Sequence, residues 1–192
     1  LEKQPWIRAI AASSISKDLI SYGSVNTFAQ VDGTTPGELI IFNSRAKAGR
    51  IFDDEEVERR AKVIVLGAGI AKRLFPQSDP LGEFVKLNKQ NFRVIGVMEE
   101  GGTRFFTKVD DQIYLPITSF LALYNKDRVN FISLKPDRVS VNETKERVRL
   151  LLRDTHKIDN PRGVLSKDDF QVASQEDAVR NAAVIGNILQ IL

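Results

Sequence analysis

Short strand-like runs crowd this chain, and helices do not fall between them one for one. Strict alternation of strand and helix builds a parallel sheet wound on both faces; an irregular order favours an α+β fold. Trp6–Ala12 and Leu19–Val31 alternate apolar and polar residues at the period of a half-buried strand, which places a turn near Ser16-Lys17-Asp18. Asp32-Gly33, followed by Thr34-Thr35-Pro36-Gly37, is turn chemistry, and Gly37–Phe42 fits either a helical turn or a strand. Lys62–Gly67 is a β-branched run closed by glycine, the pattern of a buried strand. Ala68–Phe75 sets Ile70, Ala71, Leu74 and Phe75 on one helical side, and Pro76 and Pro80 stop that helix. Phe84–Leu87 and Asn91–Val97 read as a hairpin around Asn88-Lys89-Gln90. Gly101-Gly102 opens a loop, Asp111–Pro116 is a strand, and Ile117–Tyr124 is a short helix.

The last third changes character. Val129–Leu134 alternates as a strand. Ser140 and Glu143 have the spacing of a capping box, opening a helix whose Val141, Thr144, Val148, Leu151, Leu152 and Thr155 share a face. A loop over 157–165 carries Asn160-Pro161-Arg162-Gly163, and Asp169–Ala173 reads as a final strand. Ser174 and Asp177 begin a second capping box, before a helix that turns steadily apolar through Ile188, Leu189, Ile191 and Leu192. That gradient fits a helix about to enter a membrane and equally a C-terminal helix packed on its own core. The outer segments, about 5–31 and 129–173, therefore read as β-β-(insert)-β-α-β around a separate mixed insert at about 32–125.

Composition removes several function classes. The chain has 192 residues, 42% hydrophobic and 28% charged, enough for a sizeable core. There are no cysteines, which excludes disulfides, thiolate catalysis and Cys-based zinc sites. The net charge is +3 with Lys and Arg interleaved among Asp and Glu, the pattern of a solvated surface and not of a nucleic-acid patch. One Trp and three Tyr make a poor base-stacking platform. No apolar run approaches the roughly 18–20 residues of a membrane span. No signal peptide is present and the first residue is Leu1, so an excised piece of a longer polypeptide is expected.

Candidate chemistry is sparse. Gly67-Ala68-Gly69 follows a strand and opens a helix, as a dinucleotide-binding turn does, but Lys72 and Arg73 stand where its third small residue belongs. Close packing of strand on helix needs the same small residues. The run Asp53-Asp54-Glu55-Glu56 lacks the spacers and glycine of a calcium loop and reads as a helix start or charged loop, as does Asp110-Asp111. His156 is the only histidine and sits near a helix C-terminus, where the dipole favours a cation. No Walker A sequence and no Gly-x-Ser-x-Gly elbow is present. No catalytic residue, cofactor or metal is expected, and the chain is not read as an enzyme.

Six segments in order carry a resemblance: Gly49–Asp53, Val63–Gly67, Ala71–Phe75, Asp79–Gly82, Phe92–Val97 and Asp110–Pro116. Their succession resembles the periplasmic core domain of MacB-type (FtsX-like) ABC transporter permeases. The resemblance implies an extracytoplasmic domain inserted between the first and second transmembrane helices of a permease in the bacterial cell membrane. It implies a porter-like, ferredoxin-like βαβ lobe from residues 1–31 and 126–175, an inserted mixed α/β Sabre-like lobe at 32–125, and a helix at 176–192 leading toward the second transmembrane helix. It further implies coupling of ATP hydrolysis in a cytoplasmic partner subunit to export or extraction of cargo such as a peptide, antibiotic, toxin or lipoprotein. A second permease copy and an envelope adaptor or outer-membrane partner are implied as partners. Gly49, Gly67, Gly82 and Gly96 are expected at turns or close backbone contacts, Phe52, Leu74 and Phe75 in the core with Ile95, and Arg50 beside a carboxylate; Pro80 and Pro116 complete the motifs. Two rival readings remain open: an envelope module regulating a partner such as a cell-wall hydrolase, and a nucleotide-dependent α/β enzyme resting on Gly67–Ala71.

Overall fold

A computed structural model of the chain describes residues 4–104, 107–177, 179 and 180. Its chain divides into two compact units, one of Ala9–Lys135 and one of Leu1–Arg8 with Pro136–Leu192.

The larger unit is built on a closed ring of strands. β1 (Ile7–Tyr22) pairs antiparallel with β2 (Val25–Thr34), and β2 pairs in parallel with β9 (Gln112–Pro116). β9 meets β4 (Val63–Leu66), β4 meets β6 (Gln90–Met98), and β6 turns back into β5 (Phe84–Leu87). β5 then pairs with β1 and closes the ring. Two of these seams are short: β1·β5 rests on Ile20↔Leu87 and Ser21↔Lys86, and β4·β9 on Val65↔Tyr114 and Leu66↔Ile113. β3 (Ala46–Gly49) adds to β6, and β10 (Phe131–Pro136) to β1. β7 (Thr103–Arg104) and β8 (Thr107–Lys108) form a separate two-stranded pair.

Strand alternation sorts the side chains by side of the ring. Ile20, Ala29, Val31, Ile64, Leu66, Val85, Leu87, Phe92, Val94, Ile113 and Leu115 make one buried cluster. The helices α3 (Ala68–Leu74) and α4 (Ile117–Leu123) add Ile70, Leu74, Ile117, Phe120 and Leu123 to it. A second, smaller cluster of Phe52, Val65 and Met98 lies among Leu39, Val57 and Tyr114. It draws on α1 (Gly37–Phe42) and α2 (Asp54–Glu58). Val65 and Tyr114 alternate with Ile64, Leu66, Ile113 and Leu115, so this cluster faces away from the first.

Several expectations need correction. No turn interrupts β1 at Ser16-Lys17-Asp18, because β2 pairs with the strand throughout Ser13–Tyr22 and the Tyr124 hydroxyl donates to the Asp18 carboxylate at 3.0 Å. The reversal comes at Gly23, whose φ of 57° suits glycine in a two-residue hairpin loop. Asp32 and Gly33 are strand residues, not a turn, since β9 continues the ladder past them. Gly33 is required there: a Cβ would lie 2.2 Å from the Cβ of Phe120. Val31 lies inside β2, and the ring joins β1 to β5 and β2 to β9.

In the smaller unit, α5 (Val141–His156) starts at Ser140, whose hydroxyl accepts the Glu143 amide at 3.2 Å. The Glu143 carboxylate does not complete the box; it pairs with Arg147 at 2.5 Å. Thr144 and Val148 are buried, whereas Val141 and Thr155 are exposed. The Asp137 amide donates to the Trp6 carbonyl at 2.8 Å, and Arg147 lies 5.7 Å from the Trp6 ring centroid. The strand expected at Asp169–Ala173 does not form. Side chains of α5 take its polar groups instead: Arg149 reaches the Val172 carbonyl at 3.4 Å, and His156 Nδ1 lies 2.8 Å from the Asp169 carboxylate. The Ser174–Asp177 box is present, with reciprocal bonds of 2.9 and 3.2 Å. The apolar helix expected over 181–192 lies outside the described residues. Among the described residues no helix is long and apolar enough to cross a membrane.

Candidate functional site

The six motif segments build three backbone joints. At the first, β3 meets β6 so closely that only glycine fits. Gly49 has φ 70°, and a Cβ there would stand 2.2 Å from the Ile95 carbonyl oxygen; one on Gly96 would stand 2.2 Å from that of Arg50. The Arg50 amide donates to Ile95 at 2.9 Å. Its guanidinium grips Glu56 with two bonds, at 2.6 and 2.8 Å, and Arg59 approaches the same carboxylate at 3.4 Å. Glu56 is 2% exposed, and its side chain also accepts the Asp53 amide while Asp53 accepts its own. The acidic run is therefore a helix start. The Arg50 bonds, outweighing burial, hold the Glu56 carboxyl down to about 2. Phe52, next along, is buried.

At the second joint α3 abuts the segment 109–112. A Cβ on Gly67 would lie 2.6 Å from the Gln112 carbonyl, and one on Gly69 would lie 2.8 Å from the Asp111 carboxylate. The Gly67 amide donates to Gln112 at 2.8 Å, and Arg73 pairs with Asp111 at 2.6 Å. A phosphate at this helix end would meet carbonyls and a carboxylate, so the small residues serve packing. Leu74 and Phe75 are buried in the main core, Phe75 with its ring 4.2 Å from that of Tyr22. At the third joint Gly82 has φ 84° and donates to the Val94 carbonyl at 2.8 Å, after a turn in which Pro80 accepts the Glu83 amide. Pro116 is buried where β9 passes into α4.

One cluster had no sequence signal. Asp32 on β2 is 5% exposed, and its Oδ1 has no hydrogen-bond partner. Glu38 on α1 accepts the Thr34 hydroxyl. Among the described residues, no ion pair joins either carboxyl to a base. Burial first, then the charge of Glu38, pushes Asp32 up to about 8; burial also raises Glu38. Thr34, Glu38, Leu39, Phe52, Val65, Met98 and Tyr114 border a void of about 10 Å³, room for one water. Asp32 was hidden because Asp-Gly reads as a turn; only the strand pairing with β9 places it under α1.

In the smaller unit Arg153 forks onto Asp168 with two bonds of 2.7 Å, and the Asn160 side chain adds one at 3.0 Å. Asn160 also exchanges bonds with the Val164 backbone at 2.8 and 3.0 Å. This is a loop clamp, and it explains Asn160-Pro161-Arg162-Gly163. His156 stacks edge-on to Phe170 at 5.6 Å. No group of three or more potential metal ligands occurs among the described residues.

Comparison with known proteins agrees with the motif segments. The chain is 32% identical over 154 residues to the macrolide export ATP-binding/permease protein MacB of Bdellovibrio bacteriovorus, covering 79% of this chain and 24% of that protein. It is 30% identical over 121 residues to the same-named protein of Escherichia coli K12, covering 62% of this chain and 18% of that one. The chain thus spans less than a quarter of the length of these relatives. The fold matches the periplasmic region of MacB from Actinobacillus actinomycetemcomitans with a TM-score of 0.75 at 23% identity, over 97% of this chain and 79% of that one. It matches the extracellular domain of the noncanonic ABC-type transporter YknZ from Gram-positive bacteria with a TM-score of 0.69 at 21% identity, over 81% and 80%. The model of the MacB-like periplasmic core domain matches residues 1–151, and the chain belongs to that family.

Proposed function

We propose that this chain is the extracytoplasmic domain of an ABC transporter permease, and that it couples ATP hydrolysis on the cytoplasmic side to movement outside the membrane. The family match over residues 1–151 carries the reading. The interior agrees with a mechanical part: the ring is filled by side chains, and Gly49, Gly67 and Gly96 sit in tight joints, with Gly67 and Gly69 against carbonyl and carboxylate oxygens. The partners in this reading are a cytoplasmic ATPase, a second permease copy and an envelope adaptor or outer-membrane component. The cargo is a peptide, antibiotic, toxin or lipoprotein. The porter-like lobe is the part drawn from the outer segments, the Sabre-like lobe the part drawn from 32–125, and 176–192 leads toward a membrane helix.

The test begins with the native gene. It should encode an apolar span of about 20 residues on each side of this domain and two more downstream. Cells carrying the intact permease should then lose export when two cysteines, introduced across the β1·β5 seam, are oxidised, and regain it on reduction. A native product with no flanking span ends the proposal.

A further inference from the structure

The turn that ends α2 and one face of α4 border an open groove of about 320 Å³. Thr118, Leu121 and Ala122, spaced three and four residues apart, are its α4 wall. Arg60, two residues past α2, and Asn125 and Lys126, just past α4, complete the lining with Asp127. Carbonyls at both helix ends already accept bonds. The Thr118 hydroxyl and the Arg60 amide donate to Val57, the Ala61 amide donates to Glu56, and the Lys126 amide donates to Leu121 at 2.9 Å. The cationic side chains are unspent. Arg59 goes to Glu56, but among the described residues no carboxylate pairs with Arg60 or Lys126. The Lys126 amine is held 5.2 Å from the Phe120 ring centroid, which fixes its place beside the groove. Asp127 is the one carboxylate on the lining, and it lies 3.7 Å from Arg128. No aromatic ring lines the groove, so a stacked base has no platform there.

We propose that this groove receives an acidic segment of a partner protein, its carboxylates meeting Arg60 and Lys126 and an aliphatic side chain resting on Leu121 and Ala122. Charge complementarity names the occupant: two cations without internal partners flank a small apolar wall, and a segment that alternates acidic and aliphatic residues matches both. The groove is open to solvent, which suits a chain laid across it and not an enclosed metabolite. Exposed ion pairs are individually weak and screened by salt, so a short segment alone binds at about millimolar concentration, and the partner gains affinity by holding on elsewhere as well. The proposal concerns this surface alone and does not rest on the transport reading.

The test is a titration of the 192-residue chain with the peptide acetyl-Glu-Ala-Leu-Glu amide at low salt, followed by backbone amide chemical shifts. Shifts at Arg60, Leu121, Ala122, Asn125 and Lys126 should move together and saturate, and acetyl-Gln-Ala-Leu-Gln amide should leave them still. Arg60→Gln combined with Lys126→Gln should weaken binding about tenfold. Ala122→Glu, which sets a carboxylate into the groove while keeping both cations, should weaken it as much. All three positions are exposed, and unchanged urea midpoints would show that the variants are folded. Shifts scattered over the basic surface, or variants that bind as the unaltered chain does, overturn the proposal. So does inorganic phosphate saturating the same amides as tightly as the peptide, which would mean a small-anion site. Shifts at these residues on concentrating the chain alone also overturn it, since a second copy would then be the occupant.

Discussion

Glu56 shows how one buried carboxylate organises its surroundings. It completes the capping box at the start of α2, accepts two bonds from Arg50 and ties the end of β3 to that helix. Its carboxyl is depressed, so its contribution is present above about pH 4.5 and is lost as pH falls toward 2. Glu56→Gln should lower unfolding free energy by about 2 kcal/mol at pH 7, and urea titrations should show the gap from wild type closing at acid pH. Gly96 is a harder constraint. A methyl group there meets the Arg50 carbonyl, part of the backbone, and neither side can retreat without losing the β3–β6 bonds. Gly96→Ala should cost about 3 kcal/mol, measured by the same titration. The sequence marks Gly96 as a motif glycine and Arg50 as a base beside a carboxylate; it does not mark Asp32, whose burial depends on a strand about 80 residues further on.

At the scale of elements, legibility followed locality. The hairpin at Asn88-Lys89, the strand Val63–Leu66 and the helix stops at Pro76 and Pro80 were readable because turn chemistry and side-chain period decide them within a few residues. β1 was misread as two strands. Ser-Lys-Asp carries turn propensity, and the ladder supplied by β2 overrides it. The strand expected at Asp169–Ala173 failed for the opposite reason: a suitable pattern found no partner edge. α5 was placed to the residue by its cap. Ser140→Ala should destabilise the smaller unit by about 1 kcal/mol, visible as faster exchange in the first turn of α5 with β4 unchanged.

At the scale of the molecule, the α+β class was readable from the order of runs, but the closed ring was not, because closure depends on β5 returning to β1 across more than 60 residues of chain. Leu87 sits at that return, fully buried and paired with Ile20. Leu87→Ala should cost about 3 kcal/mol and lower the urea midpoint of the Ala9–Lys135 unit as one transition. The two short seams give the ring an anatomy. Between them lie two panels of three strands, β1-β2-β9 and β5-β6-β4, each internally laced by longer runs of paired residues. Such a hoop has two creases, on opposite sides, where the fewest paired residues hold it. Strain fed into either panel will work the creases like the sides of a clasp purse, leaving each panel's own weave intact.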